Sequence, residues 1–149
     1  ILLNQDGAVI GIVRQGIGPE TEEGGISVTV NALAISDMKS TMELLLNGEK
    51  VPYAGIYGVT VTAAAAQEQG LPEGLYSGAV DADSPAMAAG LQSGDVITEI
   101  DGEAVISVDG YQTKLLSLTP GDVAEVTIQR QGNDGYTEIK CPVTVSVLQ

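Results

Sequence analysis

The scarcity of aromatic residues constrains the fold of this chain more than any other feature of its sequence. Hydrophobic residues make up 44% of the 149 residues, but aromatic residues only 3%, with no Trp, no Phe and five Tyr. The core must therefore be built from Val, Ile, Leu, Ala and Met. Such side chains favour many short strands and helices of small residues. The length suits one ordinary domain, or a small domain with a fragment attached.

The charge and the missing residue types exclude several classes of function. Six Lys and Arg against 20 Asp and Glu give a formal net charge of -14, which repels phosphates, so no nucleic-acid partner is expected. There is no His, and Cys141 is the single Cys. We therefore expect no metal, no cofactor and no catalytic residue in this chain. No apolar run has the roughly 20 residues of a membrane span, so a signal or anchor would lie outside the sequence.

The beginning of the chain has the pattern of a β-hairpin, a loop and a strand. Two apolar strands flank Asp6-Gly7 within residues 1–13, which is a strong hairpin signal. Glycines and acidic residues predict a loop over residues 15–25. The alternation of β-branched and polar residues predicts a strand over residues 26–30.

A helix is predicted next, because apolar residues recur at helical spacing up to Asn47. Either Asn31 or Ser36 could cap its start, and Gly48 is placed to end it. Lys50-Val51-Pro52 cannot continue a helix. We therefore place a domain boundary before Pro52.

Beyond this boundary the sequence predicts a compact mixed α/β unit. Strands are expected at residues 55–62, 75–81, 95–100, 123–130 and 136–147, and helices at residues 63–69, 84–89 and 107–118. The first of these strands follows Tyr53-Ala54-Gly55-Ile56, where a glycine would let neighbouring N–H groups converge on a carboxylate. An ordinary glycine turn into an edge strand explains the same residues, and the residues alone leave both readings open.

A longer motif further along the chain points to a known family. Residues 84–97 read Ser-Pro-Ala-x-x-Ala-Gly-Leu-x-x-Gly-Asp-x-Ile, and Ile100-Asp101-Gly102 and Thr119-Pro120-Gly121-Asp122 follow. Together with the 53–56 loop, this pattern resembles a bacterial-type PDZ domain of the HtrA/Deg family of serine proteases. The resemblance implies an α+β fold for residues 52–149, a small, partly open β-barrel or sandwich with two or three helices.

The residues before the boundary resemble the same family. Residues 2–12 are similar to the hairpin that follows the nucleophile in the HtrA trypsin-like barrel, and residues 25–31 to its last strand. The resemblance implies that residues 1–31 are the end of a protease domain and residues 32–51 a connector helix. The family's Gly-Asn-Ser-Gly-Gly motif would end before Ile1, and its His and Asp lie further upstream. The chain alone is therefore expected to be inert, whether the full-length protein is a serine endopeptidase or a pseudoprotease that serves as an adaptor.

The resemblance also implies that the domain binds C-terminal peptides of unfolded or misassembled polypeptides. The loop Tyr53, Ala54, Gly55 and Ile56 would bind the terminal carboxylate, and the strand Tyr57, Gly58 and Val59 would pair with the peptide. Ile56, Tyr111 and Leu115 would line a hydrophobic pocket, since Tyr111 and Leu115 fall on one helical face. Plain core packing explains Tyr111 and Leu115 equally well.

The family further implies an extracytoplasmic location, periplasmic or at the cell surface, free or anchored by a segment outside this sequence. It also implies a homo-oligomer in the intact protein. The strands at residues 2–13 and 26–30 would have lost most of their barrel. We therefore expect them to pair with another copy as a strand-paired dimer, or to dock on the PDZ domain.

Overall fold

The computed structural model describes residues 1–20 and 26–148, with side chains for residues 1–13, 34–36 and 38–148. The chain divides into two compact units, an N-terminal unit, Ile1–Gly48, and a C-terminal unit, Glu49–Gln149. Among the described residues, no helix is long and apolar enough to cross a membrane.

The N-terminal unit is a three-stranded antiparallel sheet followed by a helix. Its elements are β1 (Leu2–Leu3), β2 (Val9–Glu20), β3 (Ile26–Ala34) and α1 (Ile35–Leu46). The predicted hairpin is confirmed. Asn4 Oδ1 shapes the turn, because it accepts the N–H of Asp6 at 3.0 Å and of Ala8 at 2.9 Å. Gly7 supplies the positive φ of 79° that the turn requires.

Two predictions for this unit are wrong. The loop expected over residues 15–25 is strand up to Glu20, and residues 21–25 lie outside the described part. The ladder with β3 holds this segment extended, pairing Gly11 with Ala34 and Gly16 with Thr29. That ladder also carries β3 beyond its predicted end, so α1 starts at Ile35 behind an Ala34 that has no capping side chain. Strand pairing thus overrides the local composition that favoured a loop and a capped helix.

The C-terminal unit combines an open six-stranded sheet, a two-stranded sheet and three helices. In chain order the elements are β4 (Pro52–Tyr53), β5 (Ile56–Val61), α2 (Ala63–Gln69), β6 (Gly74–Val80), α3 (Pro85–Ala88), β7 (Val96–Ile100), β8 (Glu103–Ala104), α4 (Val108–Ser117), β9 (Val123–Gly132), β10 (Gly135–Thr144) and β11 (Ser146–Val147). The large sheet has the order β10-β9-β7-β6-β5, with β8 on β7, and β11 pairs with β4. The predicted α+β fold is confirmed.

The two-residue strands of this unit, β4, β8 and β11, were not predicted as separate strands. The strand predicted over residues 136–147 joined β11 to β10. The merged strand breaks at Val145, whose N–H donates to Asp122 C=O and whose C=O accepts the N–H of Gly121, both at 2.8 Å. After this break β11 pairs with β4, Val147 opposite Pro52. The end of the unit is thereby bonded to the strand that leads into the 53–56 loop.

The core of the C-terminal unit is aliphatic, as the composition predicts. Leu75, Val96, Ile97 and Ile128 are at most 1% exposed. Tyr111, 6% exposed, is the one aromatic side chain among the buried residues that the structure describes. Burying side chains of this size contributes about 1.5–3 kcal/mol each.

A partly buried ion pair holds the segment that follows α3. Asp95, on the turn before β7, is 1% exposed. Its Oδ1 accepts Arg130 Nε–H at 2.7 Å, and its Oδ2 accepts a second guanidinium N–H at 2.8 Å. The same guanidinium donates to Gly90 C=O at 2.8 Å, and Asp95 Oδ2 also accepts the N–H of Gln92. This pair therefore positions the segment just after α3, the helix on which the 53–56 loop rests.

Candidate functional site

Strand β5 is an open edge with a helix beside it. It stands at the end of the six-stranded sheet and pairs with β6 on one side only. Helix α4 lies along its other side, where the N–H of Val108 donates to Thr60 Oγ1 at 3.0 Å. Edge strand and helix thus form the walls of a groove. The backbone groups along this edge can receive another extended chain.

The backbone of Ile56 faces this groove. Ile56 lies opposite Val80 on β6, and the N–H of Asp81 donates to Gly55 C=O at 2.9 Å. In an antiparallel ladder this pattern makes Ile56 and Val80 a narrow pair that exchanges no hydrogen bonds of its own. The N–H and C=O of Ile56 therefore point away from β6, to the open side.

Two carbonyl anchors set the direction of the N–H groups in the 53–56 loop. Ala54 C=O accepts the N–H of Ala86 on α3 at 3.0 Å, and Gly55 C=O accepts the N–H of Asp81. In a trans peptide the N–H points opposite to the C=O. The N–H groups of Gly55 and Ile56 therefore point away from α3 and β6. In the described part of the chain, the N–H groups of Ala54 and Gly55 donate to no acceptor.

Glycine is required at position 55 for two reasons. Its φ of 81° lies in the left-handed region that side chains disfavour. A Cβ there would also stand 2.3 Å from Ser84 Cβ and 3.0 Å from Tyr53 Oη. Ser84 is itself fixed as the N-cap of α3, since its Oγ accepts the N–H of Met87 at 3.2 Å.

The start of the predicted peptide-pairing strand is held close to β6. Gly58 has no room for a side chain, because a Cβ would stand 2.2 Å from Tyr76 C=O. The register shifts between Tyr57 and Gly58, which leaves Gly78 as an extra residue on β6. Tyr57 and Val59 point outward and are 54% and 63% exposed. The strand therefore presents one apolar face to the core and a second, exposed face to solvent.

The three residues predicted to form a pocket lie together beside the loop. Ile56, Tyr111 and Leu115 line one cleft together with Ala54, and the free space between them is only about 10 Å³. Its other walls are aliphatic residues that were not predicted to line a pocket: Ile100, Leu118, Ala124, Val126, Val143 and Val145. Ile56 and Tyr111 are 9% and 6% exposed, so the cleft is narrow at its base.

Tyr111 brings an unpaired hydroxyl to this apolar region. Its Oη is buried and has no hydrogen-bond partner, a condition shared only with Ser77 Oγ among the described side chains. Burial raises the pKa of Tyr111, and the nearby Tyr53 hydroxyl raises it further. The group is therefore a neutral phenol, and its unmet hydrogen bond costs stability.

A second polar cluster, absent from the sequence predictions, lies behind the loop. Asp81 Oδ2 accepts two phenol hydrogens, from Tyr53 at 2.5 Å and from Tyr57 at 3.0 Å. The hydrogen bond to Asp81, followed by burial and by the negative charge, raises the pKa of Tyr53 to about 12. The pKa of Tyr57 is raised first by its own bond to Asp81. No local pattern marks this cluster, because Asp81 lies 28 residues from Tyr53 and 24 residues from Tyr57 in the sequence.

The described residues offer no catalytic constellation. Cys141 is 4% exposed, and burial raises the pKa of its thiol, which disfavours the nucleophilic thiolate. No group of three or more Cys, Asp or Glu in this part of the chain could hold a metal ion. What the groove offers is a set of backbone donors, an open strand edge and an apolar cleft.

The sequence of the chain matches a known protein family, in addition to having this combination of loop, edge strand and helix. The profile of the PDZ domain family matches residues 16–141. The chain belongs to the PDZ domain family. The groove just described lies within the C-terminal unit, which contains most of the matched residues.

The relatives to which the chain is similar are HtrA-type and DegP-like serine proteases. The serine protease Do-like HtrA of Lactococcus lactis subsp. cremoris is 32% identical over 159 residues, which covers 99% of this chain and 39% of the relative. The probable periplasmic serine endoprotease DegP-like of Halomonas elongata is 31% identical over 135 residues, 88% of this chain and 28% of the relative. The HtrA/Deg kinship predicted from the sequence is confirmed. The chain spans less than two fifths of the length of these curated relatives.

A solved structure supports the fold. The HtrA3 PDZ domain bound to a phage-derived ligand (FGRWV) aligns with a TM-score of 0.54 and 24% sequence identity. The alignment covers 65% of this chain and 86% of the HtrA3 domain.

Proposed function

We propose that the C-terminal unit binds the free C-terminus of an extended polypeptide. The terminal carboxylate accepts hydrogen bonds from the N–H groups of Ala54, Gly55 and Ile56. The observation that supports this proposal is the orientation of the 53–56 loop: Ala86 and Asp81 hold the carbonyls of Ala54 and Gly55, and the N–H groups of Gly55 and Ile56 point away from these partners. Hydrogen bonds to a charged acceptor contribute about 1.5–3 kcal/mol each.

The residues upstream of the carboxylate add to the sheet as a further antiparallel strand. The open N–H and C=O of Ile56 start this ladder, and Tyr57, Gly58 and Val59 continue it. The C-terminus of the ligand lies at the beginning of β5, so the ligand runs opposite to β5. Such a ladder fixes the ligand by its backbone and is therefore tolerant of its sequence.

The last side chain of the ligand inserts between Ile56, Tyr111 and Leu115, and these side chains move apart to admit it, because the cleft alone has only about 10 Å³ of free space. An apolar residue suits this cleft, because its walls are almost wholly aliphatic. A short peptide buries little area, so we expect a micromolar Kd, about -8 kcal/mol. The HtrA3 PDZ domain, bound to a phage-derived ligand, gives a precedent for a peptide in this fold.

In the intact protein this groove would capture C-termini of unfolded or misassembled polypeptides for an HtrA-type serine endopeptidase. The kinship with HtrA and DegP-like proteases supports that role, and the periplasmic DegP-like relative supports an extracytoplasmic location. A homo-oligomer of the intact protein belongs to the same proposal. The alternative is a pseudoprotease that uses the domain for assembly alone. An intact catalytic triad in the full-length protein would favour the protease.

For the chain by itself we propose that the N-terminal unit forms strand-paired dimers. Its described apolar side chains are unusually open, with Ile1 81%, Leu3 57%, Val9 49% and Ile12 49% exposed. Contiguous exposed apolar surface of this kind favours association. Light scattering of the full chain against a chain beginning at Glu49 tests this. A dimer that becomes a monomer on truncation supports it, and equal monomer masses contradict it.

Calorimetric titration tests the carboxylate site. A decapeptide of Gly, Ser and Ala that ends in Val should bind with its free carboxylate and lose at least about tenfold in affinity when amidated, since each lost charged hydrogen bond is equivalent to that factor or more. Gly55→Ala should abolish the difference between the two peptides, because its Cβ collides with Ser84. Gly132→Ala is the matched control, since a Cβ there meets its nearest atom at an ordinary 3.5 Å. Equal binding of both peptides to the unchanged protein would refute the proposal.

A further inference from the structure

Asp81 lies close to the groove, and its carboxylate has no cationic partner among the described residues. Its Oδ2 is held by the hydroxyls of Tyr53 and Tyr57, and its Oδ1 accepts no hydrogen bond from the described residues. The ion pairs of the described part use other acids: Arg130 with Asp95, Lys140 with Glu125, Lys114 with Glu103 and Lys39 with Glu43. Within the described part of the chain, therefore, no cation compensates the negative charge of Asp81.

The cluster lies on the outer face of the sheet. Ile56 and Val80 pair with each other and pack on the core, so the next residues, Tyr57 and Asp81, lie on the opposite face. Tyr53 Oη stands 3.0 Å from where a Cβ of Gly55 would be and 2.5 Å from Asp81 Oδ2. The carboxylate is thus close to the loop.

Strand alternation sets which ligand side chain meets this face. If the last side chain enters the cleft on the core side, the penultimate side chain points to the other face. It then lies beside the ring of Tyr57, which is 54% exposed. A long cationic side chain can lie across that ring and reach the carboxylate beyond it.

We propose that Asp81 and Tyr57 form a site for a basic penultimate residue of the bound C-terminus. This inference rests on the proposed function. An arginine fits best, because its planar guanidinium stacks on the Tyr57 ring and donates to the open Oδ1 of Asp81. Asp81 then acts as a specificity-determining residue, and the phenols of Tyr53 and Tyr57 fix the orientation of its carboxylate.

The test compares three decapeptides of Gly, Ser and Ala that end in Val with a free carboxylate. The first has Arg in the penultimate position, the second has Arg in the first position, and the third has Glu in the penultimate position. The first two peptides have the same net charge, so the general attraction of a chain of net charge -14 is the same for both and cancels in their comparison. The penultimate Arg should bind about three- to fivefold more tightly than the distant Arg, the range of an exposed charge pair, and the Glu peptide most weakly.

Two variants test whether Asp81 causes the preference for a penultimate Arg. Asp81→Asn should reduce the ratio between the two Arg peptides to about one, while Asp83→Asn, which removes the same charge two residues away at an exposed position, should leave it unchanged. The ratio is measured within each variant, so a general loss of affinity does not affect it. Equal affinities of the two Arg peptides for the unchanged protein, or a ratio that survives Asp81→Asn, would overturn the inference. In either case, an affinity that still depends on the free carboxylate would leave the proposed function standing.

Discussion

At the scale of single residues, Asp81 supports the 53–56 loop and also raises the pKa of Tyr53. Its N–H supports Gly55 C=O, and its carboxylate accepts the hydroxyl of Tyr53. The raised pKa of Tyr53, about 12 against an ordinary 10.0, means that the native state favours the neutral phenol. The stabilisation of the native state by the hydrogen bond from Tyr53 to Asp81 is therefore fully present below pH 10, and it is lost as the pH rises through about 12.

A spectrophotometric titration of the phenols checks this coupling. Asp81→Asn should lower the pKa of Tyr53 and of Tyr57 toward the ordinary value, because the hydrogen bond to Asp81 is the first cause of both shifts. At pH 11 the variant should show more phenolate absorbance than the unchanged protein, with both still folded by circular dichroism. Superimposable titration curves would show that the bonds to Asp81 do not form in solution.

The buried hydroxyl of Tyr111 gives a second prediction at this scale. Tyr111→Phe removes a hydroxyl that has no partner and keeps the ring that fills the base of the cleft. The free energy of unfolding should rise by about 1 kcal/mol, since an unsatisfied buried group is removed. Urea denaturation measures this change. A loss of 1 kcal/mol or more would mean that the hydroxyl has a partner in solution.

At the scale of elements, β5 depends on close contact with β6. Gly58→Ala places a Cβ 2.2 Å from Tyr76 C=O and should cost about 1–3 kcal/mol of unfolding free energy, as overpacking does. Gly78→Ala, in the same irregular stretch of the ladder, is the matched control, because its Cβ meets Tyr57 C=O at 3.8 Å. Equal denaturation midpoints for the two variants would contradict this account of the edge.

The elements also show what the sequence could predict. Helix α2 has the predicted bounds, because Thr62 caps it and Gly70 ends it in the left-handed conformation, both local signals. Strand β2 was predicted only in part, since its ladder with β3 is set by a partner strand rather than by its own residues. The 53–56 loop was predicted as a carboxylate site from its glycine and its family pattern, and that role stays a prediction. The hydrogen bonds of Asp81 with Tyr53 and Tyr57 could not be predicted from the sequence, because they form only when β6 aligns with β5.

At the scale of the whole molecule, the net charge of -14 should weaken the binding of acidic ligands. A decapeptide ending in Val with two Glu in its first half should bind less tightly than its Gln counterpart. The difference should shrink between about 10 mM and about 150 mM salt, as the screening length falls from roughly 30 Å to roughly 8 Å. A difference independent of salt would assign the discrimination to local contacts instead of the overall field.

The central claim is that the backbone of residues 53–56 binds a free carboxylate, and amide chemical shifts measure it most directly. In a ¹⁵N-labelled protein, the N–H protons of Ala54, Gly55 and Ile56 should move downfield on addition of the Val-ending decapeptide. The amidated decapeptide at the same concentration should leave them nearly unchanged. If the free peptide binds while these three resonances stay in place, the carboxylate is bound elsewhere and the account is wrong.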